Sequence, residues 1–136
     1  MGPSISDTDD PILARLREIC LSLPEANEKL SHGRPIFYTK KTFACYGASV
    51  KGDHHNPQFE QSVVFRPSSD EHAILIQHPA VFVPAYWGPS GWLGYDLSGN
   101  PDWDEVVELV DDSYRNTATK KLIAQMGGDR DPANPQ

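Results

Sequence analysis

The first apolar pattern in the chain has the period of an α-helix. In residues 9–23 the apolar positions that share one helical face are Ile12, Leu16, Ile19, Cys20 and Leu23. Asp10 can cap this helix, Pro11 suits its first position, and Pro24 ends the pattern. The segment therefore predicts an amphipathic opening helix that lays one face on a core.

From Glu28 to Ala48 the pattern changes to that of β-strands. Residues 35–39 (PIFYT) and 42–48 (TFACYGA) are rich in apolar and aromatic residues, and Lys40-Lys41 separates them. This arrangement predicts a β-hairpin with the two lysines at its turn. Residues 61–67 (QSVVFRP) predict a further strand, because the run is again apolar and is closed by a proline.

Five further segments of regular pattern fill the second half of the chain. They are a short helix at 68–77, capped by Ser68 or Ser69, strands at 80–86 and 91–97, and helices at 102–114 and 118–126. In the longer helix the side chains on one apolar face are Trp103, Val106, Val107, Val110 and Tyr114. Pro101 is expected at its start, and Gly127-Gly128 is expected to end the last helix.

This order of elements predicts an α+β fold, a two-layer domain in which an N-terminal helix and C-terminal helices pack on an antiparallel β-sheet. A chain of 136 residues is long enough for one domain with its own core. We predict a disordered lead at 1–9, a single domain at 10–127 and a disordered tail at 128–136.

Charge and composition narrow the classes of function. Twelve basic against nineteen acidic residues give a formal net charge of −7, which disfavours extensive contact with nucleic acid. The chain has no apolar run long enough to cross a bilayer, and its N-terminus lacks the features of a signal peptide, so we expect a cytoplasmic protein with no membrane partner. Cys20 and Cys45 are expected to be buried, reduced thiols.

Four segments together resemble the YjbR/MmcQ family. They are residues 21–37 (LSLPEANEKLSHGRPIF), 40–44 (KKTFA), 84–97 (PAYWGPSGWLGYDL) and 102–122 (DWDEVVELVDDSYRNTATKKL). The most specific pieces are the His-Gly-x-Pro-x-Phe segment at 32–37, Gly91-Trp92, and the Ser-Tyr-Arg at 113–115. The resemblance implies a two-layer α+β fold likened to a double-winged DNA-binding motif and to secretion chaperones. It also implies an association with DNA, which the acidic charge predicts to be weak and local.

The basic residues that could contact DNA phosphates form small groups in the sequence. They are Arg34, Lys40 and Lys41 around the predicted hairpin, and Lys120 and Lys121 in the last helix. Lysines at an exposed turn also protect a sheet against aggregation, which is the alternative reading of the hairpin pair. The helix at 102–114 carries six acids between residues 102 and 112 and would oppose DNA on its own face.

His32 and Arg34 form a second candidate group. Gly33 between them permits an unusual backbone angle, and Pro35 forces Arg34 into an extended conformation. The two side chains could then be presented together at the edge of the sheet as a ligand-binding pair. The alternative is a turn whose polar side chains satisfy only local backbone groups.

The stretch YWGPSGWLGYDLSG at 86–99 raises the question of an aromatic binding platform. Strand alternation assigns the side chains to two faces, with Leu93, Tyr95 and Leu97 on the core face and Trp92, Gly94 and Asp96 on the other. The Trp92 ring would then be open beside Tyr86 and Trp87. These rings form either an aromatic-lined groove or a small cluster that seals the turn.

The segments most similar to known catalytic and metal-binding motifs each lack residues that those motifs require. Residues 88–91 (GPSG) resemble a nucleophile elbow, but Trp92 stands where that motif requires glycine. In the polar loop predicted at 49–58, His54 and His55 lack the spacing and the cysteine ligands of a structural zinc site. No phosphate-binding or dinucleotide-binding glycine motif is present. We therefore predict no catalytic residue, no metal and no cofactor.

These observations lead to a non-enzymatic binding module of the YjbR/MmcQ type, with a weak DNA-binding role implied by the resemblance. The alternative is a protein-binding adaptor that uses the sheet face or the aromatic groove, and the third hypothesis is a small-molecule enzyme built around His32. The candidate ligand- or DNA-binding residues are His32, Arg34, Lys40, Lys41, Tyr86, Trp87, Trp92, Lys120 and Lys121.

Overall fold

The computed structural model describes residues 10–31, 33–48, 60–99 and 101–130. The helices are α1 (Pro11–Leu21), α2 (Ser69–Leu75), α3 (Trp103–Thr117) and α4 (Lys120–Arg130). The strands are β1 (Asn27–Ser31), β2 (Arg34–Tyr38), β3 (Thr42–Tyr46), β4 (Ser62–Phe65), β5 (Val81–Phe82) and β6 (Leu93–Asp96). A short 3₁₀-helix at Gly88–Ser90 lies between the last two strands.

The six strands form one antiparallel sheet with the order β1-β2-β3-β4-β6-β5. Strand pairing aligns residues in rows across the sheet. One row is Glu28, Phe37, Ala44, Phe65 and Leu93, and the next, on the opposite face, is Lys29, Ile36, Cys45, Val64, Gly94 and Phe82. The helices of the α+β fold pack on the first of these faces, as the sequence predicts.

Buried side chains join the helices to this helix-covered face. Ser113 on α3 donates a hydrogen bond to the Phe43 carbonyl and accepts one from the Arg66 backbone N–H at 2.8 Å. The neighbouring Tyr114 is fully buried, its ring meets Phe43 edge-on, and its hydroxyl donates to the Pro24 carbonyl at 2.6 Å. Because buried polar groups need partners, these bonds fix how α3 sits on the sheet.

Helix α1 begins and packs as its sequence predicts. The Asp10 carboxylate caps it by accepting from the Leu13 backbone N–H at 3.1 Å, and the Tyr46 hydroxyl of β3 donates to the same carboxylate at 2.6 Å. Arg17 makes two hydrogen bonds with Glu28 of β1, at 2.5 and 2.6 Å. This bidentate pair ties the helix to the edge strand.

The predicted hairpin, the strand at Ser62–Phe65 and the Ser68-capped helix α2 are all confirmed. The strand predicted at 80–86 is wrong beyond two residues, because Pro84 follows and Tyr86 adopts a positive φ of 70°. The polar loop at 49–58 lies outside the described residues. The predicted loop therefore stays a prediction.

Three details of the C-terminal helices differ from the expectation. Helix α3 begins at Trp103 and not at Pro101, and the Asp102 carboxylate caps it by accepting from the backbone N–H groups of Asp104 and Glu105. Val107 is 44% exposed, so its place on the buried face was wrong. Helix α4 runs to Arg130, past the glycines at 127–128 that were expected to end it. A glycine weakens a helix by only about 1 kcal/mol, which does not oblige the helix to stop.

Candidate functional site

The face of the sheet opposite the helices carries a small core of its own. We call it the second face, and its buried residues are Ile36, Cys45, Ala48, Val64 and Trp92, with Phe82 and Trp87 packed against them. At Gly94 a side chain would collide with the Phe82 ring, whose Cε1 lies 2.7 Å from the position of a Cβ. The ring therefore occupies the space that the glycine leaves, and it closes one end of this face.

The loop between β5 and β6 folds over the second face. The Gly88 N–H donates to the Pro84 carbonyl at 2.9 Å, and Gly91 ends the 3₁₀-helix at a φ of 89°. These turns bring the Trp87 ring to 4.8 Å from the Trp92 ring, at an angle of 53°. The predicted face of Trp92 is confirmed, but the expectation of an open ring is wrong. Trp92 is only 9% exposed, since the loop folds over it.

A pocket of about 550 Å³ lies between this loop and the sheet. We call it the second-face pocket; its lining residues are Ser31, Arg34, Ile36, Cys45, Gly47, Ala48, Ala85, Tyr86 and Trp87. The floor is apolar, and the two aromatic residues come from the loop. Tyr86 is 84% exposed at its positive φ of 70°. A non-glycine residue in that conformation stores strain, which is commonly found at functional sites.

Arg34 supplies the positive charge of the pocket. Gly47, at a φ of +87°, has no side chain, and the Arg34 guanidinium lies where its Cβ would be. The nearest acid in the described part of the chain is Glu60, with 3.8 Å between Arg34 Nη1 and Glu60 Oε1. Both side chains are partly exposed, so solvent weakens this ion pair. The guanidinium therefore keeps donors for a further partner.

The Cys45 thiol lies in the floor of the pocket and is buried. Burial raises the pKa of Cys45 to about 12, although the charge of Arg34 acts in the opposite direction. The Sγ atom lies 3.8 Å from the Gly47 carbonyl, which fits a protonated thiol that donates weakly to the backbone. Cys20 and Cys45 are both free and buried, as predicted. Only the thiolate reacts readily, so this cysteine serves as a small apolar surface.

The other predicted basic residues lie away from the second-face pocket. Lys40 follows β2 at the end opposite Arg34, six positions away. At about 3.3 Å per residue, this spacing separates the two by roughly 20 Å. Lys40 and Lys121 instead line a smaller pocket of about 270 Å³, together with Glu25. Lys41 and Lys120 are exposed nearby in the chain. Arg34 and the lysines therefore do not form one basic patch.

His32 lies outside the described residues, as do His54 and His55, so the hypotheses about these side chains stay predictions. Within the described ranges, no group of three or more His, Cys, Asp or Glu residues could hold a metal ion. No helix in the part that the structure describes is long and apolar enough to span a bilayer.

A histidine that sequence reasoning missed sits in a titratable cluster on the helix-covered side. His78 Nδ1 accepts from the Ala80 backbone N–H at 3.0 Å, and its Nε2 lies 3.2 Å from Glu105 Oε1. The Tyr95 hydroxyl donates to the same oxygen at 2.8 Å, and burial together with this bond raises the pKa of Tyr95 to about 12. Both ring nitrogens of His78 are engaged, and the shared Glu105 carboxylate joins β6 to α3.

An antiparallel sheet with helices on one face and a ligand-sized pocket on the other defines a two-layer α+β protein with a concave site. A family model for YjbR matches residues 21–116, and the chain belongs to the YjbR family. The chain is similar to the crystal structure of Deinococcus radiodurans protein DR2400, described as a DUF419 domain. That match has a TM-score of 0.59 and 20% identity, covers 82% of this chain and 85% of that chain, and shows a common fold. No curated protein matches.

Proposed function

We propose that the protein is a non-enzymatic binding module whose ligand site is the second-face pocket. The observation that carries this proposal is the pocket of about 550 Å³, with an apolar floor, two loop aromatics and one guanidinium. Ligand sites in proteins are concave, mostly apolar and about 300–1,000 Å³ in volume, with a few polar groups that orient the ligand. The pocket has each of these properties.

The conformation of Tyr86 gives independent support. An exposed aromatic ring held at a positive φ contributes little to the core, and yet the chain accepts the backbone strain. A ring at the rim can stack on a ligand, and the cost of the conformation is then offset by binding. The protonated Cys45 in the floor supports binding over catalysis, because the pocket offers no activated nucleophile there.

The chain offers a built-in control for testing this site. Trp87 and Trp92 lie at the second face, whereas Trp103 lies at the start of α3 with the Arg15 guanidinium over its ring. We would titrate the isotope-labelled protein with a library of flat organic fragments and follow the three indole N–H signals by NMR. Binding in the pocket should shift the Trp87 and Trp92 signals and leave the Trp103 signal in place.

Two variants make the test specific. Tyr86→Ala should weaken every fragment that shifts Trp87, whereas Ile74→Ala, which removes an exposed apolar side chain from α2, should not. If no fragment shifts Trp87, or if Tyr86→Ala binds as well as the native chain, the pocket is not a ligand site.

Weak binding of DNA through the lysines is the second candidate function. Its support is the position of Lys40 and Lys121 at one small pocket, with Lys41 and Lys120 exposed beside them in the chain. Glu25 in the same pocket opposes phosphate, and few lysines are available to release counterions. We therefore expect an affinity for duplex DNA in the micromolar range or weaker at physiological salt.

Fluorescence anisotropy with labelled duplex at several salt concentrations tests this second candidate. The double variant Lys40→Gln, Lys121→Gln should lose the binding, and Arg34→Gln should keep it, because Arg34 lies at the other end of β2. Nanomolar binding with a steep salt dependence would show that the charge distribution favours DNA far more than these positions suggest.

A further inference from the structure

The geometry of the second-face pocket points to a ligand class: a small aromatic carboxylate, held by Arg34 through its acid group and by the loop aromatics through its ring. This inference rests on the proposed function and names the ligand chemistry of the same site. It follows from three features of the pocket: the one cation among its described lining residues, its flat apolar surfaces and its size.

The cation selects an anionic ligand. Among the described lining residues Arg34 carries the only formal charge, and Glu60 stands outside the lining with its carboxylate 3.8 Å away. A neutral ligand that covered Arg34 would strip water from the guanidinium without bringing a charge to replace it, which is costly. A carboxylate instead matches the planar guanidinium with two parallel hydrogen bonds.

The position of the guanidinium is built into the backbone. Gly47 adopts a φ of +87° and leaves the space that the Arg34 guanidinium fills, against the floor formed by Ile36 and Cys45. A long side chain seated in this way loses less freedom when it binds a partner, so its donors are better organised than those of a lysine on the surface. Arg34 is therefore the residue that should determine the preference for acids.

The remaining walls select a flat apolar group. Trp87 and Tyr86 line one side, and Ile36, Cys45 and Ala48 line the other. Aromatic rings pack well between such surfaces, with an offset or edge-on arrangement. A cavity of roughly 150 Å³ is enough for benzene. At about 550 Å³ the pocket has room for two fused rings with an acidic group, and a long chain is not needed to fill it.

A matched pair of probes tests the inference on the full chain. Calorimetric titration with naphthalene-2-carboxylate and with naphthalene-2-carboxamide compares ligands that differ only in the charge of one group. We expect the acid to bind about tenfold more tightly than the amide, as one charge-assisted bidentate contact allows. Arg34→Gln should remove this preference, and Lys41→Gln, which deletes one positive charge at the far end of β2, should leave it within about twofold.

The outcomes separate this inference from the proposed function. If acid and amide bind equally with a shift of Trp87, the pocket is a ligand site and the inference about acids is wrong. If neither probe binds, the inference is wrong as well. Arg34→Lys keeps the charge and should retain part of the preference, which guards against a folding defect in Arg34→Gln.

A peptide serves as the last arm, because a chain terminus also carries a carboxylate. A short peptide ending in tryptophan, with a free or an amidated terminus, presents the same chemistry from a protein source. We expect the peptide to bind more weakly than the free acid, since the pocket has room for the rings and not for an extended chain. Tighter binding of the free-ended peptide would overturn the small-molecule assignment.

Discussion

The two faces of the sheet carry very unequal cores. Among the described residues, the helix-covered face buries a large cluster that includes Leu16, Phe37, Phe65, Val110 and Tyr114. The second face buries a small one around Val64 and Trp92, and it leaves a pocket open beside it. Stability comes mainly from buried apolar area, so the helix-covered face should hold the fold together. The second face can then be shaped for a ligand at a smaller cost to stability.

Removing a large side chain from the helix-covered face should have the largest effect. Tyr95 is 3% exposed, its ring lies 5.4 Å from that of His78, and its hydroxyl donates to Glu105. We expect Tyr95→Ala to cost ~3–5 kcal/mol and to unfold the protein or nearly so. Urea melts followed by circular dichroism measure the loss. A cooperative melt close to that of the native chain would show that this face is not the main core.

The corresponding truncation on the second face should cost less. Because the Trp92 ring is buried, its truncation should cost more than the roughly 1–2 kcal/mol expected for a ring that is partly open to solvent. The neighbouring pocket lets the site relax, and the cost of a cavity depends on such relaxation. We expect Trp92→Ala to lose about 2–3 kcal/mol, to stay folded and to lose fragment binding at Trp87. If it is more damaging than Tyr95→Ala in the same melts, the ranking of the two faces is reversed.

Substitutions at two glycines with positive φ distinguish the cost of backbone strain from the loss of the space that Arg34 occupies. Gly47 and Gly91 have φ values of +87° and +89°, but only at Gly47 would a Cβ collide with Arg34 and approach the Glu60 carbonyl at 3.0 Å. Gly91→Ala should therefore cost about 1 kcal/mol, from strain alone. Gly47→Ala should cost about 2 kcal/mol and also abolish the preference for the aromatic acid. Equal effects of the two changes on binding would contradict the role of Gly47.

The smallest expected effect is a pH dependence of the free energy of unfolding that comes from Asp112 on α3. Burial and the neighbouring carboxylates of Glu71 and Asp111 raise the pKa of Asp112 to about 6. An acid with a raised folded pKa prefers to be protonated in the folded chain. Its stabilising contribution is therefore full below pH 4 and is lost as the pH rises through 6. Because the carboxyl group is partly exposed, we expect Asp112→Asn to raise the free energy of unfolding by only about 1 kcal/mol at pH 7.

The control for that variant is Glu108→Gln, which removes an exposed acid from the same helix. The melting temperature, measured between pH 4 and 7, should change less with pH for Asp112→Asn than for the native chain. For Glu108→Gln it should change with pH as it does for the native chain. Second-face ligand binding should not follow this titration. A variant Asp112→Asn that is no more stable than the native chain at pH 7 would contradict the assignment.

Most of the secondary structure could be predicted from short stretches of sequence. The Asp10 cap, the lysine turn of the hairpin and the Ser68 cap are each decided within a few residues, and each is where the pattern places it. The stretch from Glu28 was assigned to strands, but β1 was not identified as a strand of its own because NEKLS has no apolar alternation. It is held by pairing with β2 and by the bond from Arg17 to Glu28. Such long-range partners leave no local trace.

The sequence predicts the aromatic residues of the candidate site but not the position of Arg34, which again depends on a long-range partner. Tyr86, Trp87 and Trp92 attract notice as a dense aromatic stretch, and alternation places Trp92 on the correct face. The seat of Arg34 depends on Gly47, thirteen positions later, and only the pairing of β2 with β3 brings them together. A glycine directly after an apolar strand was the one signal that could have indicated such a close approach.

The contact between Gly94 and Phe82 has a consequence for how this sheet can change in evolution. The two residues are paired across β5 and β6, and the ring of one fills the place that the other leaves empty. Neither position can vary freely, because a larger residue at 94 must be matched by a smaller one at 82. The summed side-chain volume at positions 82 and 94 is limited by the space between the two strands. Related chains with a larger residue at one of these positions should therefore have a smaller residue at the other.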